Sequence, residues 1–146
     1  MTVGEGLAMS LFSVRLKPGQ DLRKELIDFA KDNNIKAGSI VTCVGALKPS
    51  TLRMAGAMPD KQKIRTFADT HEIVSLVGTL TCNDCHLHIA LSNKDGEVIG
   101  GHLKEGSLVD LTAEVVIIND DSSIYQREMD SDTGFPELAI DGRAAK

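Results

Sequence analysis

The sequence is poor in aromatic side chains, with no Trp, one Tyr and four Phe among 146 residues. A core must therefore be built from Val, Ile, Leu and Met, whose removal from water drives folding. Basic charge is scarce as well: 16 Lys and Arg face 21 Asp and Glu, for a net charge of −5. That balance gives no basic footprint for nucleic acid, because such binding draws heavily on phosphate neutralisation. No apolar run approaches the roughly 20 residues of a transmembrane helix. The opening Met1-Thr2-Val3-Gly4-Glu5-Gly6 lacks the charged start and apolar stretch of a secretory leader. Cys43, Cys82 and Cys85 cannot all pair with one another, which suits a reducing, cytoplasmic setting.

What is present is ordinary for a globular chain: 42% hydrophobic and 25% charged residues. The length fits one domain spanning residues 1–146. Alternation of apolar and polar residues predicts a first strand over Ser10 to Leu16, closed by the turn Lys17-Pro18-Gly19. Leu22, Leu26, Phe29 and Ala30 share one helical face, which places the single main helix over Asp21 to Asn33 with Gln20 or Asp21 near its cap. Strands are expected over Ser39–Val44 and Thr51–Gly56, then in succession over Ile73–Leu80, Cys85–Leu91, Glu97–His102 and Leu108–Ile118. Asn119 to Ser123 reads as an acidic loop, and Gly134 to Leu138 as a last extended piece.

Three of the four histidines are His86, His88 and His102. In a strand, residues i and i+2 share a face with Cα atoms about 6.5 Å apart. Two imidazoles so placed converge on one ion at metal–nitrogen distances of about 2.0–2.1 Å. His102 joins them if Ser92 pairs with Val98, because His88 then lies opposite His102. In that register Leu87, Ile89, Leu91, Ile99 and Leu103 face the core, while His86, His88, Ala90, Val98, Gly100 and His102 take the other face. A slip of one residue would put His102 among the leucines. Burial and ligation therefore select the same register. Gly100 and Gly101 before His102 indicate a bulge or a close backbone approach, and they leave room for an ion and an added ligand. Three nitrogen ligands with a fourth position open are the pattern of a catalytic zinc site.

Other reactive residues carry weaker patterns. Cys82-Asn83-Asp84-Cys85 has Cys-x-x-Cys spacing, but no second pair and no following helix support a redox or zinc role. The three cysteines are read as structural. His71, near Asp69 and beside Glu72, reads as a solvated strand-end histidine. Glu105 and Glu114 are the candidate catalytic carboxylates, able to serve as proton carriers near a metal. On the last long strand Asp110, Thr112 and Glu114 share one face, opposite Leu111, Ala113, Val115 and Ile117.

The run Leu87-His88-Ile89-Ala90-Leu91-Ser92, followed by Asp95-Gly96-Glu97-Val98-Ile99-Gly100-Gly101-His102-Leu103 and Thr112-Ala113-Glu114-Val115-Val116-Ile117, resembles the PPC domain family, the plants and prokaryotes conserved domain. Gly45-Ala46-Leu47, Val77-Gly78-Thr79-Leu80 and Gly134-Phe135 also fit, so the likeness covers nearly the whole chain. The resemblance implies an α/β (α+β) fold with a mixed, largely antiparallel sheet, one main helix and a homotrimeric assembly. It implies that His86, His88 and His102 hold Zn2+ or another divalent metal, as in stand-alone members that keep three histidines. Plant members follow AT-hook motifs, and this chain has no Arg-Gly-Arg core. Three readings follow: a metal-binding, DNA-associated or regulatory module; a small zinc-dependent hydrolase or lyase, by fold analogy with acetolactate decarboxylase, acting on a small-molecule ligand at the metal; or a structural trimer. No membrane partner is expected.

Overall fold

The computed structural model describes residues 8–141. In chain order the elements are β1 (Met9–Leu16), α1 (Leu22–Asp32), β2 (Gly38–Leu47), β3 (Ser50–Arg53), β4 (Ile64–Phe67), β5 (His71–Leu80), β6 (Cys85–Ser92), β7 (Val98–Leu103), β8 (Val109–Asp120), β9 (Ile124–Met129) and β10 (Pro136–Asp141). Eight strands form one sheet in the order β1-β8-β2-β5-β6-β7-β3-β4, and β9 pairs with β10 as a separate hairpin. Among the described residues every strand pairing is antiparallel. The sheet is thus more uniform than the mixed one expected.

The helix forms where its periodicity places it. Asp21 has extended dihedrals and its carboxylate accepts from the Lys24 N–H at 3.1 Å, satisfying one orphan donor of the first turn. Leu22, Leu26 and Ala30, spaced four apart, are fully buried against the inner face of the sheet. Phe29 meets Phe12 of β1 edge-on, with ring centroids 6.0 Å apart. Facing the helix are Leu76, Leu80, Leu87, Ile89, Leu91, Val115 and Ile117, all in one buried cluster. The aliphatic core expected from the lack of aromatics is the core observed.

One strand was not foreseen, and three local expectations are corrected. The strand β4 lies at the sheet edge with Ile64, Arg65 and Thr66 exposed, so no alternation of burial marked it. Leu111 is not on the core face: between its pairings with Gly45 and Ala46, β8 bulges, Leu111 takes φ +64° and its side chain is 72% exposed. Asn119 and Asp120 continue β8 rather than opening a loop, and the buried Asn119 accepts from the Ala37 N–H at 2.9 Å. Residues 124–141 fold as a two-stranded hairpin instead of one short extended piece.

Candidate metal centre

The β6–β7 hairpin has the register that burial demanded. Ser92 pairs with Val98, Leu91 with Ile99 and His88 with His102. Leu87, Ile89, Leu91 and Leu103 are buried, and Ile99 packs at the edge of their cluster. The pleat then turns His86, His88 and His102 to the other face. One ligand nitrogen from each lies within 4.8 Å of the others. His88 is exposed, while His86 and His102 are partly buried.

Glycine at two positions allows the strands this close. Gly78 on β5 has φ +136°, and a Cβ there would collide with the carbonyl oxygen of His86. At Gly101 a Cβ would lie 2.7 Å from the Arg53 carbonyl oxygen. The expected close approach at the glycine pair is therefore the neighbouring β3 strand. Cavities adjoin each pair of imidazoles. One of about 350 Å³ touches His86 and His102, and one of about 370 Å³ touches His88 and His102. A third, of about 310 Å³, lies along His86 and His88.

The electrostatics suit a cation held by neutral imidazoles. Burial lowers the pKa of His102 to about 3, helped by Arg53, His86 and Lys104. Burial, then Arg127 and His88, also lowers that of His86, while Glu137 opposes the shift. Both rings are thus free bases at neutral pH, the form that ligates a metal. The thiol of Cys85 faces the core, and its burial raises the pKa to about 11; burial raises that of Cys43 to about 12. Neither thiol is poised as a thiolate, in keeping with structural roles. Cys82 is also free.

The two carboxylates singled out from the sequence lie elsewhere. Glu105 is exposed and pairs with Arg23 at 3.5 Å, lining none of the three histidine cavities. Glu114 sits on β8, opposite Val44 of β2, with β2 and β5 between it and β6. Three strand spacings of about 4.8 Å separate it from the histidines. His71 is 6% exposed, its Nδ1 lies 2.9 Å from the Asp69 carbonyl oxygen and its ring meets Phe67 edge-on, so it is a packed histidine rather than a solvated one.

Sequence reasoning missed the charged residues that do reach the site. Arg53 ends β3 opposite His102, and its Nη2 lies 3.3 Å from Nδ1 of that ring. Arg127 on β9 donates to Oγ1 of Thr79 at 2.9 Å, and Thr79 is the β5 partner of His86. Phe135 and Glu137 close the cavity, with Phe135 under the Arg53 guanidinium at 5.6 Å. No spacing in the sequence connects these residues to the histidines.

Known proteins are similar to this chain in sequence or in fold. The bifunctional protein GlmU of Synechococcus sp. (strain JA-3-3Ab) is 36% identical over 92% of this chain, but the match takes up 21% of that relative. The chain spans about a fifth of the length of the curated relatives it matches. A hypothetical protein of Salmonella superposes with a TM-score of 0.88 at 32% identity, over 96% of this chain and 99% of the other. A metal-containing protein of Archaeoglobus fulgidus gives 0.79 at 28%, over 95% and 99%. One from Bacteroides thetaiotaomicron, provisionally described as DNA binding, gives 0.77 at 26%, over 95% and 94%. A family model matches residues 3–120, and the chain belongs to the Plants and Prokaryotes Conserved (PCC) domain family.

Proposed function

We propose that the chain holds one divalent metal ion, zinc, on His86, His88 and His102, and presents it to a small-molecule ligand in the adjoining cavity. The convergence of the three ligand nitrogens to within 4.8 Å carries this reading. The donor set fits: three imidazoles, two of them held neutral by burial, are a borderline-soft set that zinc accepts, and they leave a position open. The metal-containing neighbour from Archaeoglobus fulgidus supports it. A divalent ion there supplies Lewis acidity, as hydrolases and lyases of this type use it. Glu137 takes the place that Glu105 and Glu114 were expected to fill, because it lines both cavities that touch His86. The experiment is metal analysis of the purified chain beside a His88→Ala variant. One equivalent in the parent and a large loss in the variant are expected; equal metal in both would sink the reading. His88 is exposed, so its removal leaves the fold intact.

A second reading, a DNA-associated module, draws on the Bacteroides thetaiotaomicron neighbour. The net charge of −5 argues for the small-molecule reading over it. Duplex binding that weakens steeply with salt would reverse that order. We further propose the homotrimer that the family likeness implies. It is supported by Val41 and Val44 on β2 and Val74 and Val77 on the adjacent β5, each between 55% and 58% exposed. Among the described residues no helix is long and apolar enough to cross a membrane.

A further inference from the structure

The cavity beside His86 and His102 is lined by four cations, Arg23, Arg53, Lys104 and Arg127, in a chain whose net charge is negative. Their partners divide them. Arg23 is neutralised by Asp84 at 2.8 Å and by Glu105 at 3.5 Å. Arg53, Lys104 and Arg127 have no carboxylate within ion-pair distance among the described residues. Of the two acids in the lining, Asp84 is taken by Arg23, which leaves Glu137 alone against three cations. Like charges gathered in a concave site repel one another unless an anion joins them.

Hydrogen-bond chemistry adds a separate argument. A guanidinium has only donors, and a neutral imidazole has one nitrogen lone pair. In the structure Arg53 Nη2 lies 3.3 Å from Nδ1 of His102, so that nitrogen is the acceptor and its lone pair is spent on Arg53. An ion on His102 needs the same lone pair, whichever ring nitrogen it takes. Metal binding therefore removes the acceptor from Arg53 and releases a donor into the cavity. Released beside an ion, in a cavity that Arg127, held by Thr79, also lines, it is set to meet an oxyanion.

We propose that this cavity takes a small dianionic oxyanion, a dicarboxylate or a phosphate ester, clamped by Arg53 and Arg127 beside the metal ion. This inference rests on the metal reading above and names its ligand class. At about 350 Å³ the cavity is at the small end of ligand sites, which suits a compact ligand. Three cations and a divalent ion against one carboxylate favour two negative charges over one. Metal and anion then strengthen each other's binding, and by linkage the factor is the same in both directions.

The test is calorimetric titration of the full chain, with and without one equivalent of zinc, using succinate, inorganic phosphate and acetate as probes. Zinc content is measured on each sample. One dianion is expected to bind the zinc-loaded chain at least about tenfold more tightly than acetate, and at least about tenfold more tightly than it binds the metal-free chain. Preference for succinate identifies the carboxylic-acid source, and preference for phosphate the phosphate ester. Arg127→Gln should keep its zinc and lose about tenfold in dianion affinity, the cost of one charge-assisted contact, with Arg127→Lys retaining part of it. Arg53→Gln gives the same comparison from another element if Arg127→Gln does not fold, with its zinc content again measured. A chain that takes up no zinc sinks the metal reading and this inference with it. A chain that takes up zinc yet binds neither dianion better than acetate, or whose variants bind as the parent does, sinks this inference alone.

Discussion

The closeness of β5 to β6 beside the three histidines makes Gly78→Ala the most informative substitution. Gly78 pairs with Leu87, and the added Cβ would overlap the His86 carbonyl oxygen while sitting 2.9 Å from the His86 carbonyl carbon and 3.0 Å from the Leu87 Cα. Non-bonded carbons rest about 3.5 Å apart or more, so the strands must part by more than half an ångström. That loosens the ladder bonds on either side, at about 1 kcal/mol each. The backbone at φ +136° adds about 1–3 kcal/mol for a residue with a side chain. The total is roughly 3–5 kcal/mol, a large share of the roughly 5–15 kcal/mol that holds a domain folded. Thermal unfolding should shift down by roughly 10 °C or more. Gly96→Ala is the matched control, since Gly96 has φ +80° but nothing within 4 Å of an added Cβ, and should lose only the backbone part. Because the displaced strand carries His86 and His88, the zinc proposed for that site should be lost from Gly78→Ala and kept in the control. If the two variants unfold within about 1 kcal/mol of each other and both keep their zinc, the packing argument is wrong.

Further predictions concern charge, capping and assembly. An unfolded histidine takes its proton near 6.5, whereas folded His102 resists until about 3. The metal-free chain should therefore hold its full share of stability above pH 6.5 and lose it as pH falls from there toward 3. The slope is at most about 1.4 kcal/mol per pH unit, reduced by solvent screening at this partly exposed ring. Urea midpoints at several pH values should drop more steeply for the parent than for His102→Gln; parallel curves would refute the assignment. Asp21→Ala removes the cap to Lys24 and the bond at 2.6 Å from the Gly106 N–H, which ties the helix to the turn after β7. It should cost about 2 kcal/mol by urea denaturation, with Asp21→Asn, which keeps one acceptor oxygen for the cap, losing less; equal losses would show that the cap to Lys24 contributes nothing. Val77→Asp places a charge in the exposed valine patch and should convert a trimer to monomers by light scattering, whereas a parent that is already monomeric removes the assembly proposal.

Period-two alternation was informative wherever one face of a strand meets the core. It placed β1, the three-histidine hairpin and its register, since a slip would drive His102 among buried leucines. The same signal was absent where a strand has no buried face. The edge strand β4 and the β9–β10 hairpin escaped for that reason: Ile124, Met129 and Ile140 are exposed although they lie in strands. Leu111 misled because a bulge cancels alternation without leaving a mark in residue type.

The sequence alone determined the aliphatic core, the capped helix and the three imidazoles on one side of a hairpin, because each is a local pattern of burial and spacing. Only tertiary structure decided what surrounds those imidazoles. Arg53 arrives through pairing of β3 with β7, and Arg127 and Glu137 through a hairpin that folds back from beyond residue 120. Glu105 and Glu114, nearer in the sequence to His102, were left on other surfaces. Distance along the chain sets a strand's own faces, but which segments meet across a sheet depends on how the whole core closes.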